Sequence, residues 1–341
     1  MYTDIPFWLS LVFMVGGLVA LAWSSSLFVD GAASLAKALG ISPFVIGMVI
    51  IGFGTSAPEL CVSAMSGLAG HANLSVGNAY GSCIFNIAVI LGVSALMFPL
   101  VVRPRVSLVA GIGLTVISVF SIWVLKDGVC SRTEAFILLG AFLVILPLYC
   151  WYDQESRKNR GAAVAQVREA EDRPLPRSWV SLLKLLVGLG VLIGSSHFLV
   201  WGAVDFAKFC GVGDLVIGLT IIAAGTSLPE LASAIASARR GEHEFVLGNI
   251  IGSNLFNTLA VVGLSTAISP LMPGPGGEPA FSPYVLTRDL PLMAALSFSL
   301  LVFGVNWRRP KRPSVIRRWE ASAWLLAFVG YTLLMLYQET H

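Results

Sequence analysis

Charged side chains are scarce in this 341-residue chain: Asp, Glu, Lys and Arg make up 12% of it and hydrophobic residues 56%, where a soluble domain carries about a quarter charged residues. With a mean hydropathy of +0.81, that scarcity excludes an ordinary soluble domain and predicts an integral membrane protein. Histidine is rarer still. The four present, His71, His197, His243 and His341, have no metal-ligand spacing, and His71 and His243 fall in short turns expected to be solvated. Five cysteines, Cys61, Cys83, Cys130, Cys150 and Cys210, lack CxxC spacing or a framework pattern and are read as small core residues. The net charge of +3 is too small to suggest an acidic partner, and no nucleic-acid partner is expected. MYTDIPFWLS at the start lacks a basic n-region, so the first apolar stretch is expected to stay as a helix.

What is there instead is apolar sequence of spanning length, at 7–29, 43–69, 73–98, 106–125, 133–152, 180–202, 214–238, 244–268, 289–306 and 319–338. The pattern is five spans, a break, then five, each near the roughly 20 residues that cross a bilayer. The break, 153–177, is the one long stretch dense in charge, with two prolines near its end; it reads as a solvated linker or short surface helix. The expected division is therefore 1–152, linker 153–177, and 178–341. No large cytoplasmic regulatory domain fits in the linker.

Basic residues fall unevenly among the loops. Lys37, Arg103, Arg105, the six basic residues from Arg157 to Arg177, Arg239, Arg240 and the cluster Arg308, Arg309, Lys311, Arg312, Arg317 and Arg318 lie on one side, seventeen in all. Lys126, Arg132, Lys208 and Arg288 lie on the other, with Lys184 inside a helix. That bias places both termini outside and the linker in the cytoplasm of a bacterial-type inner (plasma) membrane. Five spans per half is an odd number, so the halves enter the membrane from opposite faces. The expected fold is all-α: ten transmembrane helices in two inverted five-helix repeats.

The halves also repeat in sequence. GTSAPE at 54–59 returns as GTSLPE at 225–230, and GNAYGSCIFN at 77–86 returns as GNIIGSNLFN at 248–257, both at an offset of 171 residues. Gly31, Ala32, Ala36, Lys37 and Gly47 recur at the same offset as Gly202, Ala203, Ala207, Lys208 and Gly218. Each half thus carries a glutamate, Glu59 or Glu230, 27 residues before an asparagine, Asn86 or Asn257. Counting from the turn near Gly70 at 1.5 Å per residue puts these groups roughly 16–24 Å from one membrane face, near the middle of a core about 30 Å thick.

Pro58 and Pro229 cannot donate to the helical ladder and clash with the carbonyls of Gly54 and Gly225, so the helices should break there. Freed carbonyls beside Thr55, Ser56, Thr226 and Ser227 are tolerated at that depth only inside protein or along a water-filled cavity. Thr55 and Glu59 share a helix face, as do Ser82 and Asn86, Thr226 and Glu230, and Ser253 and Asn257. Two carboxylates, two amides, hydroxyls and carbonyls, with no Lys or Arg inside the motifs, suit a hard cation such as Ca2+, Mg2+, Mn2+ or Na+. Two ionised glutamates are neutralised by one divalent ion or by two monovalent ions or protons. Moving the bare, self-repelling pair would be costly, which couples the two fluxes. Gly77 with Gly81 and Gly248 with Gly252 are GxxxG pairs, read as helix packing. Asn78 and Asn249 are candidates as ligands, as caps of a broken helix or as bonds between helices, and Asp30 and Asp205 are expected at the interface.

The paired motifs resemble the α-repeats of the cation/calcium exchanger superfamily, in particular prokaryotic sodium/calcium exchangers. The resemblance implies a ten-helix antiporter, not an enzyme, with no cofactor. It would extrude Ca2+ against Na+ entry, with the ions held between the repeats, two peripheral helices sliding over a core, and no obligatory protein partner. On that resemblance Glu59 and Glu230, with the carbonyls of Thr55 and Thr226, would hold Ca2+. Ser56, Ser82, Ser227 and Ser253, with carbonyls near Gly52 and Ala223, would hold Na+, and Asn86 and Asn257 would complete a diamond. Several members have Asp where this chain has Asn257, and many have Asn where it has Cys83. The first departure removes a potential charge; the second is expected to affect packing more than transport. H+-coupled exchange of Ca2+ or another divalent ion is the near alternative. An enzyme with paired carboxylates would need unlike environments for its two groups, and a channel would not need inverted repeats with broken helices.

Overall fold

A computed structural model describes residues 6–68, 72–164, 178–210, 223–273, 280–307, 309 and 312–340. They are almost all helical. Helix α1 is Phe7–Leu39; α2 runs Pro43–Thr55 and meets α3, Ala57–Leu68, at a 45° bend. α4, Ala72–Phe85, continues through a π-helical turn at Asn86–Leu91 into Gly92–Met97. α5 is Pro104–Leu125, α6 Arg132–Val164 and α7 Ser178–Phe209. A single turn, α8 (Ala223–Thr226), precedes α9, Leu228–Arg239. α10, His243–Leu255, passes through a second π-helical turn at Phe256–Val261 to Ile268. α11 comprises Val285–Asp289 and Leu290–Gly304, and α12 is Arg318–Thr340.

Seven of these helices are long and apolar enough to cross a membrane, or eight if the bent α2–α3 pair is one span. The chain is a multi-pass membrane protein. Two of the ten expected spans account for most of the difference. The fourth, 106–125, lies within α5, Pro104–Leu125, of which Gly111–Leu125 is counted as a shorter apolar helix among the described residues, and the seventh, 214–238, lies partly outside the described residues. Several helices outrun the expected limits. At 1.5 Å per residue, the 33 residues of α1 reach about 50 Å, well beyond the hydrocarbon core. α6 likewise continues to Val164, because 153–160, DQESRKNR, offers no proline or glycine to stop it; the first part of the expected linker is thus helix, and 165–177 lie outside the described residues.

α10 is the centre of the molecule, with 94% of its apolar window buried, against 67% for α4 and 39% or less for the other spans. Close packing at this centre depends on glycine. A Cβ on Gly47 would stand 3.0 Å from the Phe245 carbonyl oxygen, and one on Gly52 would stand 3.0 Å from the Ser253 nitrogen. Gly248 and Gly252 answer from α10, pressing on the Phe44 and Met48 backbone. Any side chain there would force the helices apart. Among the described residues, nothing lies within 4 Å of a Cβ at Gly77 or Gly81, so the packing expected of both GxxxG pairs is found for the second only.

α1 and α7 form an antiparallel pair at one side. Gly31 faces the Leu185 and Ser181 backbone, Gly202 the Ser10 and Met14 backbone, Gly17 faces Leu199 and Gly188 faces Phe28. These contacts come in matched sets, since Met14 and Leu185, and Phe28 and Leu199, stand 171 residues apart, the offset of the sequence repeat. Asp30 binds Lys184 Nζ at 2.7 Å and Arg240 Nη1 at 3.1 Å, which joins the pair to the end of α9.

Two short backbone pairings tie loops together. β1 (Leu100–Val102) runs antiparallel to β2 (Ser314–Ile316), with Leu100 opposite Ile316. Elsewhere Cys130 and Leu271 exchange both backbone bonds at 2.9 Å. Two expectations need correction. Cys83 and Cys130 are buried and Cys150 is half-buried, but Cys61, on an outward face of α3, and Cys210, in the turn after α7, are exposed. Asp205, expected at the interface, is 3% exposed, and among the described residues neither of its oxygens has a hydrogen-bond partner; α7 runs past the expected limit of 202 to Phe209.

Candidate functional site

The α2–α3 bend falls at Ser56, whose φ of −83° and ψ of 6° leave the helical region for the sparsely populated bridge. Ser227 repeats this between α8 and α9 with φ −92° and ψ 9°. Pro58 and Pro229 occupy the first turn of the helix that follows, where a missing N–H costs little. The break is therefore one residue wide and places a serine hydroxyl at its apex. One consequence differs from the sequence expectation: the carbonyl of Gly225, freed by Pro229, accepts a hydrogen bond from Ser196 Oγ of α7 at 3.0 Å, while Ser25, the matching residue of α1, donates to Ala22 of its own helix.

The two breaks meet. Ser227 Oγ donates to Glu59 Oε1 at 3.0 Å, and Ser56 Oγ donates to Glu230 Oε1 at 3.0 Å. Each carboxylate is thus held by the hydroxyl that precedes the other in its motif. Ser82 Oγ lies 3.5 Å from Glu59 Oε1 and accepts from Ser227 Oγ at 3.4 Å. Thr55 Oγ1 donates to the Ile51 carbonyl at 2.9 Å and to Asn249 Oδ1 at 3.3 Å. Ser253 Oγ bonds the Gly52 carbonyl at 3.4 Å. Thr226, half-buried, ends α8 directly before Ser227. Hydrogen bonds thus link Glu59 and Glu230 with Ser56, Ser82 and Ser227, and Thr55 with Asn249.

Burial is complete at the centre: Glu59, Glu230, Asn86, Asn257, Thr55, Ser227 and Ser253 are all 0% exposed. Yet among the described residues Oε2 of both glutamates, Oδ1 of Asn86 and both amide atoms of Asn257 have no hydrogen-bond partner. Such groups ordinarily cost free energy when buried unpaired. The four oxygens among these five atoms, one at each of four matched positions, form a set of acceptors that a cation would satisfy. Among the described residues no group of three or more His, Cys, Asp and Glu is placed to hold a metal, so a cation here would rest on two carboxylates and neutral oxygens.

Asn78 and Asn249 act between helices. Asn78 Nδ2 donates to the Glu59 carbonyl at 3.1 Å and to Ser63 Oγ at 3.0 Å; Asn249 Nδ2 reaches the Glu230 carbonyl at 3.4 Å and Ser233 Oγ at 3.0 Å. They anchor the backbone of the glutamate-bearing turns. Three features escaped the sequence reading. The π-helical turns start at Asn86 and just before Asn257, and such wide turns often mark functional positions. Asn254 donates to the Cys83 carbonyl at 3.4 Å and accepts from Asn86 Nδ2 at 2.9 Å. Its signal was visible, because position 83 against 254 is where the two motif copies change a thiol for an amide. Ser196 carried no signal.

A family model described as sodium/calcium exchanger protein matches residues 9–151 and 180–337. The chain is similar to the putative antiporter CaxA of Alkalimonas amylolytica, 38% identical over 95% of this chain and 98% of that one. It is also similar to the inner membrane protein YrbG of Escherichia coli, 36% identical over 89% and 91%. Among solved structures, it resembles the sodium-calcium exchanger NCX_Mj soaked with 100 mM Na+ and 10 mM Sr2+, with a TM-score of 0.77 and 29% identity across 95% of this chain and 97% of that one.

Proposed function

Since the chain belongs to the sodium/calcium exchanger family, we propose that it is a secondary antiporter exchanging Ca2+ for Na+ by alternating access, with the ions bound between two inverted five-helix repeats. The observation that carries this reading is the set of unpaired, fully buried atoms on Glu59, Glu230, Asn86 and Asn257. In the proposed cycle, Ca2+ takes the free Oε2 atoms of Glu59 and Glu230 with the backbone oxygens of Thr55 and Thr226. Na+ is held by Ser56, Ser82, Ser227 and Ser253, while Asn86 and Asn257 complete the ring. One divalent or two monovalent cations neutralise the two carboxylates, so the ions compete and only a loaded site moves.

The repeat boundaries are 1–152 and 178–341, each with five spans, joined by 153–177. Support comes from the matched glycine contacts of α1 and α7 and from the crossed Ser56–Glu230 and Ser227–Glu59 bonds. The orientation puts both termini outside an inner (plasma) membrane and the linker in the cytoplasm. The β1–β2 pairing joins two loops that charge counting assigns to the cytoplasmic face, and the Cys130–Leu271 pairing joins two assigned to the opposite face.

A second reading, H+-coupled exchange of Ca2+ or another divalent ion, is favoured by one observation: with Asn at both 86 and 257 the centre has two carboxylates, which two protons would discharge. The deciding experiment is uptake of radioactive Ca2+ by reconstituted vesicles under a Na+ gradient alone and a pH gradient alone. Uptake under the Na+ gradient is expected. Uptake requiring only the pH gradient would establish the second reading, and uptake under neither would end both.

A further inference from the structure

Asn254, 2% exposed, sits in the place that Cys83 takes in the other motif copy. A backbone carbonyl can only accept, so the 3.4 Å contact with the Cys83 oxygen fixes Asn254 with Nδ2 toward it. Asn254 Oδ1 must then face Asn86, 2.9 Å away, and the group it meets there must be Nδ2. Turning the Asn86 amide over would set two acceptors together. Its remaining atom, Oδ1, is the one left buried and unpaired. Asn86 is therefore committed as an oxygen donor by a relay running from the Cys83 carbonyl through Asn254.

The opposite corner has no such relay. The thiol of Cys83 lies 3.4 Å from Thr258 Oγ1 and 3.7 Å from the Asn254 carbonyl, and among the described residues neither amide atom of Asn257 has a partner. Turning Asn257 over breaks no protein hydrogen bond, so it can show a cation its oxygen or a carboxylate its N–H.

We propose that Asn254 is a positioning residue that fixes the Asn86 oxygen for cation binding, and that Cys83 leaves Asn257 uncommitted, so the two amide corners are inequivalent. The proposal rests on the exchanger reading. The test measures half-saturating Ca2+ and maximal rate for Ca2+ exchange in proteoliposomes. N86A should raise half-saturating Ca2+ about tenfold more than N257A, and N254L should raise it roughly 10- to 100-fold with little change in maximal rate, as loss of a ligand's orienting partner does. The exchange C83N/N254C moves the orienting amide to the other copy and should reverse the order, making N257A the costlier substitution. A residue that merely joined α4 to α10 would not reverse it. Should the exchanged protein fail to fold, C83N alone should lower half-saturating Ca2+ several-fold by giving Asn257 a partner. Equal effects of N86A and N257A in the native background, an unreversed order, or an inert C83N would overturn the proposal. Failure of the exchanger reading is separate, since the unmodified protein would then take up no Ca2+ under either gradient.

Discussion

α4 and α10 carry copies of one ten-residue motif, identical at six positions, yet their surroundings differ. Gly248 and Gly252 on α10 lie against the backbone of α2, while Gly77 and Gly81 on α4 have nothing within 4 Å among the described residues. The difference teaches that a repeated motif fixes which groups are offered but not what meets them. The crossed bonds of Ser56 and Ser227 to the two glutamates are matched across the copies. Bonds made outward from the site, such as that of Ser196, are not. Equal substitutions in the two copies therefore separate what the site needs from what its setting supplies.

The largest effect should come at the matched carboxylates. E59Q and E230Q each remove a buried charge that faces the other, and each should lower the rate of Ca2+ exchange by ~100-fold or more. Normal exchange in the double variant E59Q/E230Q would disprove their role. Next comes the contrast between the glycines. G252A drives a methyl into the Met48 backbone and should destabilise by about 1–3 kcal/mol, read as a lower Tm in detergent, whereas G77A should leave Tm unchanged. A destabilisation of the same size in G77A would show that α4 is packed as α10 is.

Smaller and symmetric effects are expected from the hydroxyls at the two breaks. S56A and S227A each take a donor from a buried carboxylate, a loss of about 1–3 kcal/mol, and their half-saturating Ca2+ values should agree within about twofold. Clear inequality would mean that the carboxylates do unequal work. Smallest is S196A, which strips the Gly225 carbonyl of one donor and should cost about 1 kcal/mol in Tm measurements. S25A, whose hydroxyl only bonds back to Ala22, should not affect the site at all, so activity loss in S25A matching that in S196A would break the asymmetry.

Much of the site was legible because its chemistry is written in residues that membrane depth does not otherwise tolerate. Glu59, Glu230, Asn86 and Asn257 stand out against apolar neighbours, and Pro58 and Pro229 announce the breaks. The exact apex at Ser56 was less visible, since a proline dictates which carbonyl is released but not where the chain turns. Asn254 is hard to read for a different reason: an amide beside a candidate ligand, Ser253, looks like packing until its acceptor, the Cys83 carbonyl, is known. Helix lengths were underestimated where polar residues continue a helix into water, as at Asp153 to Val164. Asp205 shows the reverse error, since charge near a presumed helix end suggested the interface and the helix simply went on.

The α1–α7 pair, finally, has a mechanical meaning. From Gly17 to Gly31 is 14 residues, about 21 Å of helix, pinned to the partner backbone at both ends and matched by Gly188 and Gly202 from the other side. Neither helix can slide along the other without opening those contacts, so the two are expected to shift as one body, and the Asp30–Arg240 pair, exposed on both sides, adds little to their hold on the rest of the chain.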